Sequence, residues 1–164
     1  MGYIAFLLLL CYNYDISHIR SYKMYCMLFG HADAPDSLKS KLEQEILIFS
    51  EKNVNVTFLI GNNGNFDFLA QSTLETLCRK GKNIDYTIVL SRIDEAPLNR
   101  RSERTIFPEE LSGVLPKYAI SKRNEWIIRR SNFAICYVSR IASNSSKMLS
   151  KLQRRNVKTI NLIP

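Results

Sequence analysis

The stretch VTFLIGNNGNFDFLAQSTLETLCRKG, residues 56–81, changes its hydrophobic period halfway along. Val56–Ile60 is a near-continuous apolar run of strand length that stops at Gly61. Phe66, Leu69, Ala70, Leu74, Leu77 and Cys78 then recur at helical spacing, with Asn65 as the natural N-cap and Gly81 closing the end. A strand apolar on both faces, followed at once by an amphipathic helix, belongs to a parallel sheet covered on both sides. Between the two lies Gly-Asn-Asn-Gly-Asn, either a plain turn or a surface of backbone N–H groups facing an anion.

The same alternation runs outward in both directions. Upstream, MYCMLF (residues 24–29) is a short apolar strand ended by Gly30. Leu38, Leu42, Ile46 and Phe49 follow at helical spacing, after the start signals Asp33, Pro35 and Asp36. Downstream, Ile84, Tyr86, Ile88 and Leu90 alternate as a third strand. Ser91–Lys117 contains three prolines and has the length of a lid or binding loop, with a short helix expected near Pro108–Leu111. Ile120, Ile127 and Ile128 mark a helix, FAICYVS (133–139) a fourth strand, Met148, Leu149 and Leu152 another helix, and TINLI (159–163) a fifth strand. The expected fold class is α/β: a single Rossmann-like, three-layer α/β/α domain around a mostly parallel five-stranded sheet.

With 164 residues the chain suits one domain with one core, and 46% apolar residues fit a folded soluble protein. The net charge of +8 is concentrated late, since residues 99–158 hold fourteen Lys/Arg against four Glu. That bias fits either a solvated surface or a phosphate-bearing partner. Cys11, Cys26, Cys78 and Cys136 form no C-x-x-C pair, so neither zinc spacing nor a disulfide framework is readable, and a reducing, cytoplasmic setting is expected. YIAFLLLLCY (3–12) is shorter than the about 20 residues that span a bilayer. As a signal segment it lacks a basic n-region and a small-residue cleavage site. The expectation is that translation starts at Met24, with residues 1–23 an upstream extension and 24–164 the folded domain; a membrane-tethered or exported protein is the alternative. No cofactor, metal or membrane partner is expected.

Ligands of an open parallel sheet collect beyond the carboxyl ends of its strands. Three segments fall at such ends or at helix starts: FGHADAP (29–35), IGNNGNFD (60–67) and YAISKRNEW (118–126). Gly61 and Gly64 allow positive φ or a close backbone approach. The N–H groups of Asn65, Phe66 and Asp67 would then face outward at the positive end of a helix. Asp67 would accept from a ribose hydroxyl or complement the helix dipole. His31, directly after the first strand, is either a loop histidine or a catalytic one. Asn124 shares a helix face with Ile120, Ile127 and Ile128, so its amide must find backbone or ligand. Arg123, expected in the first turn, opposes the dipole unless an anion compensates, either a ligand or a loop carboxylate such as Glu109 or Glu110. There is no Ser/His/Asp order, no HExxH and no P-loop Lys, and His31, Asp33 and Asp67 are a thin acid–base set for an enzyme.

Taken in order, FGHADAP, FLIGNNGNFD (58–67) and AISKRNEWIIRRSNFAICYV (119–138) resemble the SLOG superfamily, the Rossmann-like group that includes the Smf/DprA DNA-processing proteins and the LOG nucleotide-processing enzymes. The resemblance extends from Met24 to Ile163, with G-H-x-D-x-P at the first strand as in small bacterial proteins of that group. The turn is similar to the G-x-x-x-G-x-D of the DprA branch, and KRNEWIIRRS (122–131) to its R-N-R-I-I-x-x-x-S helix. This resemblance implies a nucleotide or nucleotide-derived small molecule bound through Gly30, His31, Gly61, Asn62, Asn63, Gly64, Asn65, Asp67, Arg123 and Asn124. Related proteins carry Arg where this chain has Ala32, and a glycine-containing turn where it has IASNSSK (141–147), so that Ser143, Asn144 and Ser145 would supply the N-cap donors. The P-G-G-x-G-T motif and catalytic Glu of the LOG enzymes are absent, and their phosphoribohydrolase activity is not implied. The expected function is binding of the nucleotide-like ligand, for sensing or processing. DprA-like binding of single-stranded nucleic acid is the alternative, and hydrolysis of an N-glycosidic or phosphate bond by His31 or Asp67 a further one.

Overall fold

The computed structural model describes residues 23–95 and 104–163; the N-terminal extension up to residue 22 and the middle of the long loop lie outside them. In chain order the elements are β1 (Met24–Gly30), α1 (Leu38–Lys52), β2 (Val56–Ile60), α2 (Asn65–Arg79), β3 (Asp85–Val89), β4 (Thr105–Ile106), α3 (Pro116–Arg130), β5 (Phe133–Tyr137), α4 (Asn144–Arg154) and β6 (Lys158–Asn161). Short 3-10 turns cover Ile93–Glu95 and Glu109–Leu111, the second where a short helix is expected. One sheet runs β4-β3-β2-β1-β5-β6 with every neighbouring pair parallel. The fold is α/β and Rossmann-like, with helices on both faces of the sheet.

Strand alternation divides the core between those faces. Cys26 and Leu28 of β1, with Phe58 and Ile60 of β2, pack under Leu42 and Ile46 of α1 and Leu74 and Leu77 of α2. Met27, Phe29 and Leu59 point the other way, against Trp126, Ile127 and Ile128 of α3 and Leu152 of α4. Val56–Ile60 is buried along its whole length, as its unbroken apolar run requires. Burying each such side chain contributes about 1.5–3 kcal/mol, so neither helical layer is dispensable.

Three expectations change. The sheet has six strands rather than five, because Thr105 and Ile106 leave the long loop to pair with Ile88 and Val89. Two residues are too few to produce a readable alternation. Asn65 is the first residue of α2 and not its cap; Gly64, at φ 97°, takes the cap position. Finally, α3 begins at Pro116, which puts Arg123 two turns in rather than in the first turn. Its buried side chains are Ala119, Arg123, Trp126, Ile127 and Ile128, while Ile120 is 47% exposed. Among the described residues no helix is long and apolar enough to cross a membrane.

Candidate functional site

The chain builds outward from β1 through β2, β3 and β4, then crosses over to add β5 and β6 on the opposite side. Strand order therefore reverses between β1 and β5, and a crevice opens beyond their carboxyl ends. A cleft of about 390 Å³ lies there, lined by Gly30, His31, Gly61, Asn63, Gly64, Asp67, Arg123 and Asn124. Asn62 and Asn65 are not among its lining residues. A wider depression of about 670 Å³ lies at the amino ends of the strands, beside Asn53, Asn83 and Asp85, and contains none of the candidate residues.

The Gly61–Asp67 turn is braced from within. Arg123 is 2% exposed, and its Nη1 donates to the Val89 carbonyl at 3.1 Å and Asn62 Oδ1 at 3.4 Å. Its Nη2 donates to Asn63 Oδ1 at 3.2 Å and lies 4.0 Å from Asp67 Oδ2. That same Asp67 oxygen accepts the Asn63 N–H at 3.0 Å. Burial pushes the Asp67 carboxyl above its ordinary value, and the Arg123 charge and the Asn63 N–H pull against it. The loop carboxylate expected for Arg123 goes elsewhere: Glu110 accepts from Arg129 at 2.5 Å and from Arg130 at 3.0 Å.

This bracing accounts for both glycines. A β-carbon on Gly61 would collide with Arg123 Nη1 and Asp67 Oδ2. One on Gly64 would lie 2.7 Å from the Cα and the Cβ of Ala32, at a φ that other residues rarely adopt. The outward-facing N–H expected at Asn65 is spent, since it donates to the Ala32 carbonyl at 2.7 Å. The Asn65 amide ties the β1 loop as well, donating to the Ala34 carbonyl at 2.6 Å and to Asp36 Oδ1 at 2.9 Å. Asn62 and Asn65 therefore act within the turn and its neighbours.

Across the crevice the chemistry is different. His31 is 3% exposed, and its Nε2 accepts two backbone N–H groups, from Ser139 at 3.0 Å and Arg140 at 3.3 Å. Those bonds require the neutral ring with its proton on Nδ1. Burial, followed by the charge of Arg140, lowers the imidazole pKa, and Asp33 opposes them. Among the described residues Nδ1–H has no acceptor, although the ring lines the cleft. The Nε2 lone pair is already engaged and is not available as a general base.

Beside His31 stands the amino end of α4. Ser143 caps it in a reciprocal box with Ser146: Ser143 Oγ accepts the Ser146 N–H at 3.0 Å, and Ser146 Oγ accepts the Ser143 N–H at 3.1 Å. Ser145 Oγ donates to the Gly30 carbonyl at 2.8 Å, fixing the helix start against the end of β1. The N–H groups of Asn144 and Ser145 have no acceptor among the described residues. Arg140 closes the mouth, its guanidinium donating twice to Asp33, at 2.8 and 2.6 Å. This pairing holds the Asp33 carboxyl below its usual range. Arg140 is absent from the residues expected from sequence, because only the pairing of β5 beside β1 brings it to the cleft.

No protein-family model matches the chain, and no curated protein matches it. Solved structures do. DNA processing protein A of Streptococcus pneumoniae superposes with a TM-score of 0.58 at 12% identity, over 84% of this chain and 50% of that one. The Helicobacter pylori protein of the same name superposes with a TM-score of 0.57 at 12% identity, over 85% of this chain and 65% of that one. The latter protein has a single-stranded DNA binding mode. At such identity the likeness is one of fold, and the chain spans half to about two thirds of the length of these proteins.

Proposed function

We propose that the chain binds a nucleotide or nucleotide-derived molecule in the crevice between β1 and β5, with an anionic phosphate seated at the amino end of α4. The observation that carries this reading is the His31 Nδ1–H, a donor on a nearly enclosed ring that lines the cleft, set beside the N–H groups of Asn144 and Ser145; none of the three has an acceptor among the described residues. Three donors lining one cleft, two of them at the positive end of a helix, suit an anion. Arg140 supplies a cation at the mouth, where Ala32 cannot. Gly61, Gly64, Asp67 and Arg123 shape the facing wall, and Asn124 closes the cleft on the α3 side. The order of the motifs and the DprA-like fold together support placing the chain in the SLOG group, in a reducing cytoplasm where Cys26, Cys78 and Cys136 stay free thiols. The occupied His31 Nε2 and the enclosed Asp67 favour binding over hydrolysis.

A second reading, single-stranded nucleic-acid binding, is favoured by the single-stranded DNA binding of the Helicobacter pylori neighbour and by Lys147, Lys151 and Arg154 along α4. One experiment separates the two. Thermal shifts of the full chain are recorded with ribonucleoside monophosphates, with nucleotide-derived ligands and with short oligonucleotides, in the wild type and in Asn144→Pro. Proline is tolerated at the first position of a helix, so this change deletes one N–H and leaves α4 intact. A monophosphate or nucleotide-derived shift that disappears in Asn144→Pro is the expected result. An undiminished shift in that variant removes the α4 seat. A shift with oligonucleotides alone, steeply weakened by salt, transfers the site to the second reading.

A further inference from the structure

Below the phosphate seat the cleft continues between α3 and α4, and there its character changes. Ile120, Ile127, Met148 and Met27 line it with apolar surface, and one amide, Asn124, interrupts them. Asn124 is half-buried, and among the described residues its Nδ2 donates only to the Met148 thioether, at 3.3 Å. Sulfur in a thioether is a weak acceptor. Asn124 Oδ1 accepts from no donor among the described residues. The amide thus keeps hydrogen-bonding capacity that no strong partner among the described residues uses. Asn124 therefore lines the cleft with a donor and an acceptor side by side, neither held by a strong partner among the described residues. Met148 lies four residues, about one helical turn, after Asn144 on α4, and both line the same cleft.

We infer that the slot between α3 and α4 is the seat of a nucleobase, and that Asn124 is the residue that reads its hydrogen-bonding edge. The inference rests on the phosphate seat proposed above and deepens it. A flat ring slides between Ile120 and Met148, whose flexible, polarisable side chain adapts to it. The amide exchanges its thioether contact for a paired donor and acceptor on the ring, as asparagine does on base edges elsewhere. The ring thereby supplies what the described residues do not give Asn124, and specificity for the base arises on α3, away from the anion.

The test is calorimetric titration of the full chain with ribose 5-phosphate and with each of the four ribonucleoside 5′-monophosphates. At least one nucleotide binds about tenfold or more tightly than ribose 5-phosphate. In Asn124→Leu that advantage disappears while ribose 5-phosphate binds as before. Ile120→Trp, at a position 47% exposed and so without consequence for folding, fills the slot and has the same effect. Equal binding of all five ligands by the wild type overturns the base seat and leaves the phosphate seat standing. An advantage that survives both variants also overturns it. Failure of every ligand to bind overturns the phosphate seat, and the base seat with it.

Discussion

At the residue scale, the pair Arg123–Asp67 shows how a polar contact can be structural although both residues line the cleft. Both side chains are nearly enclosed, and the distance between them is 4.0 Å. Removing one partner of a buried pair leaves the other charge uncompensated and costs about 3–5 kcal/mol. Arg123→Met is expected to lose that much in urea unfolding, and Asp67→Asn added to it to restore a good part. If the single variant is as stable as the wild type, the brace is not holding the turn. Gly64→Val is no clean test of ligand binding, because its side chain would collide with Ala32.

His31 carries a pH signature at the same scale. Its folded pKa is lowered, so near the ordinary imidazole value of about 6.5 the unfolded chain binds more protons than the folded one. The stability from the neutral ring is therefore complete above about pH 6.5 and declines as the pH falls below it. Unfolding free energies measured between about pH 7.5 and 5 should show this decline in the wild type. His31→Gln, whose amide oxygen can still accept from the loop, should show less of it. Identical pH profiles for the two proteins would mean that His31 is not the group responsible.

At the element scale, α4 begins in the glycine-free stretch IASNSSK (141–147). Its serines form a complete capping box with a further hydroxyl bond to Gly30. The helix start is thereby positioned by side chains rather than by backbone freedom, and its first two N–H groups have no acceptor among the described residues. Ser143→Ala should destabilise the fold by about 1 kcal/mol through loss of the cap. A loss below a few tenths, read from the same urea titrations, would mean that the box contributes little. Element starts elsewhere are harder to read. The two-residue β4 has no period to detect, and α2 starts one residue away from the expected cap because Gly64 needs its left-handed backbone to pass Ala32.

At the scale of the whole molecule, one parallel sheet separates two apolar layers that share its strands. Phe58 and Leu59 are adjacent in β2 yet belong to opposite layers. Ile46→Val in one layer and Ile127→Val in the other should each cost about 0.5–1.5 kcal/mol. Their effects should add in the double variant, within a single unfolding transition. Two separated transitions would show that the layers are not one cooperative unit.

The sequence alone determined the layers, the parallel sheet and the strand ends at which to look, because burial on both faces writes unbroken apolar strands and amphipathic helices directly into residue order. It also singled out His31, Gly61, Gly64, Asp67, Arg123 and Asn124, all of which line the cleft. Only the tertiary structure decided what each of them touches. Arg123 meets Asp67, 56 residues earlier, and His31 meets Ser139 and Arg140 more than 100 residues later. Such contacts follow from the order of strands in the sheet, and that order is set by crossovers which leave no period in the sequence. For the same reason Arg140 does not stand out in the sequence: a cation after a strand becomes a site residue only when its strand is found beside β1.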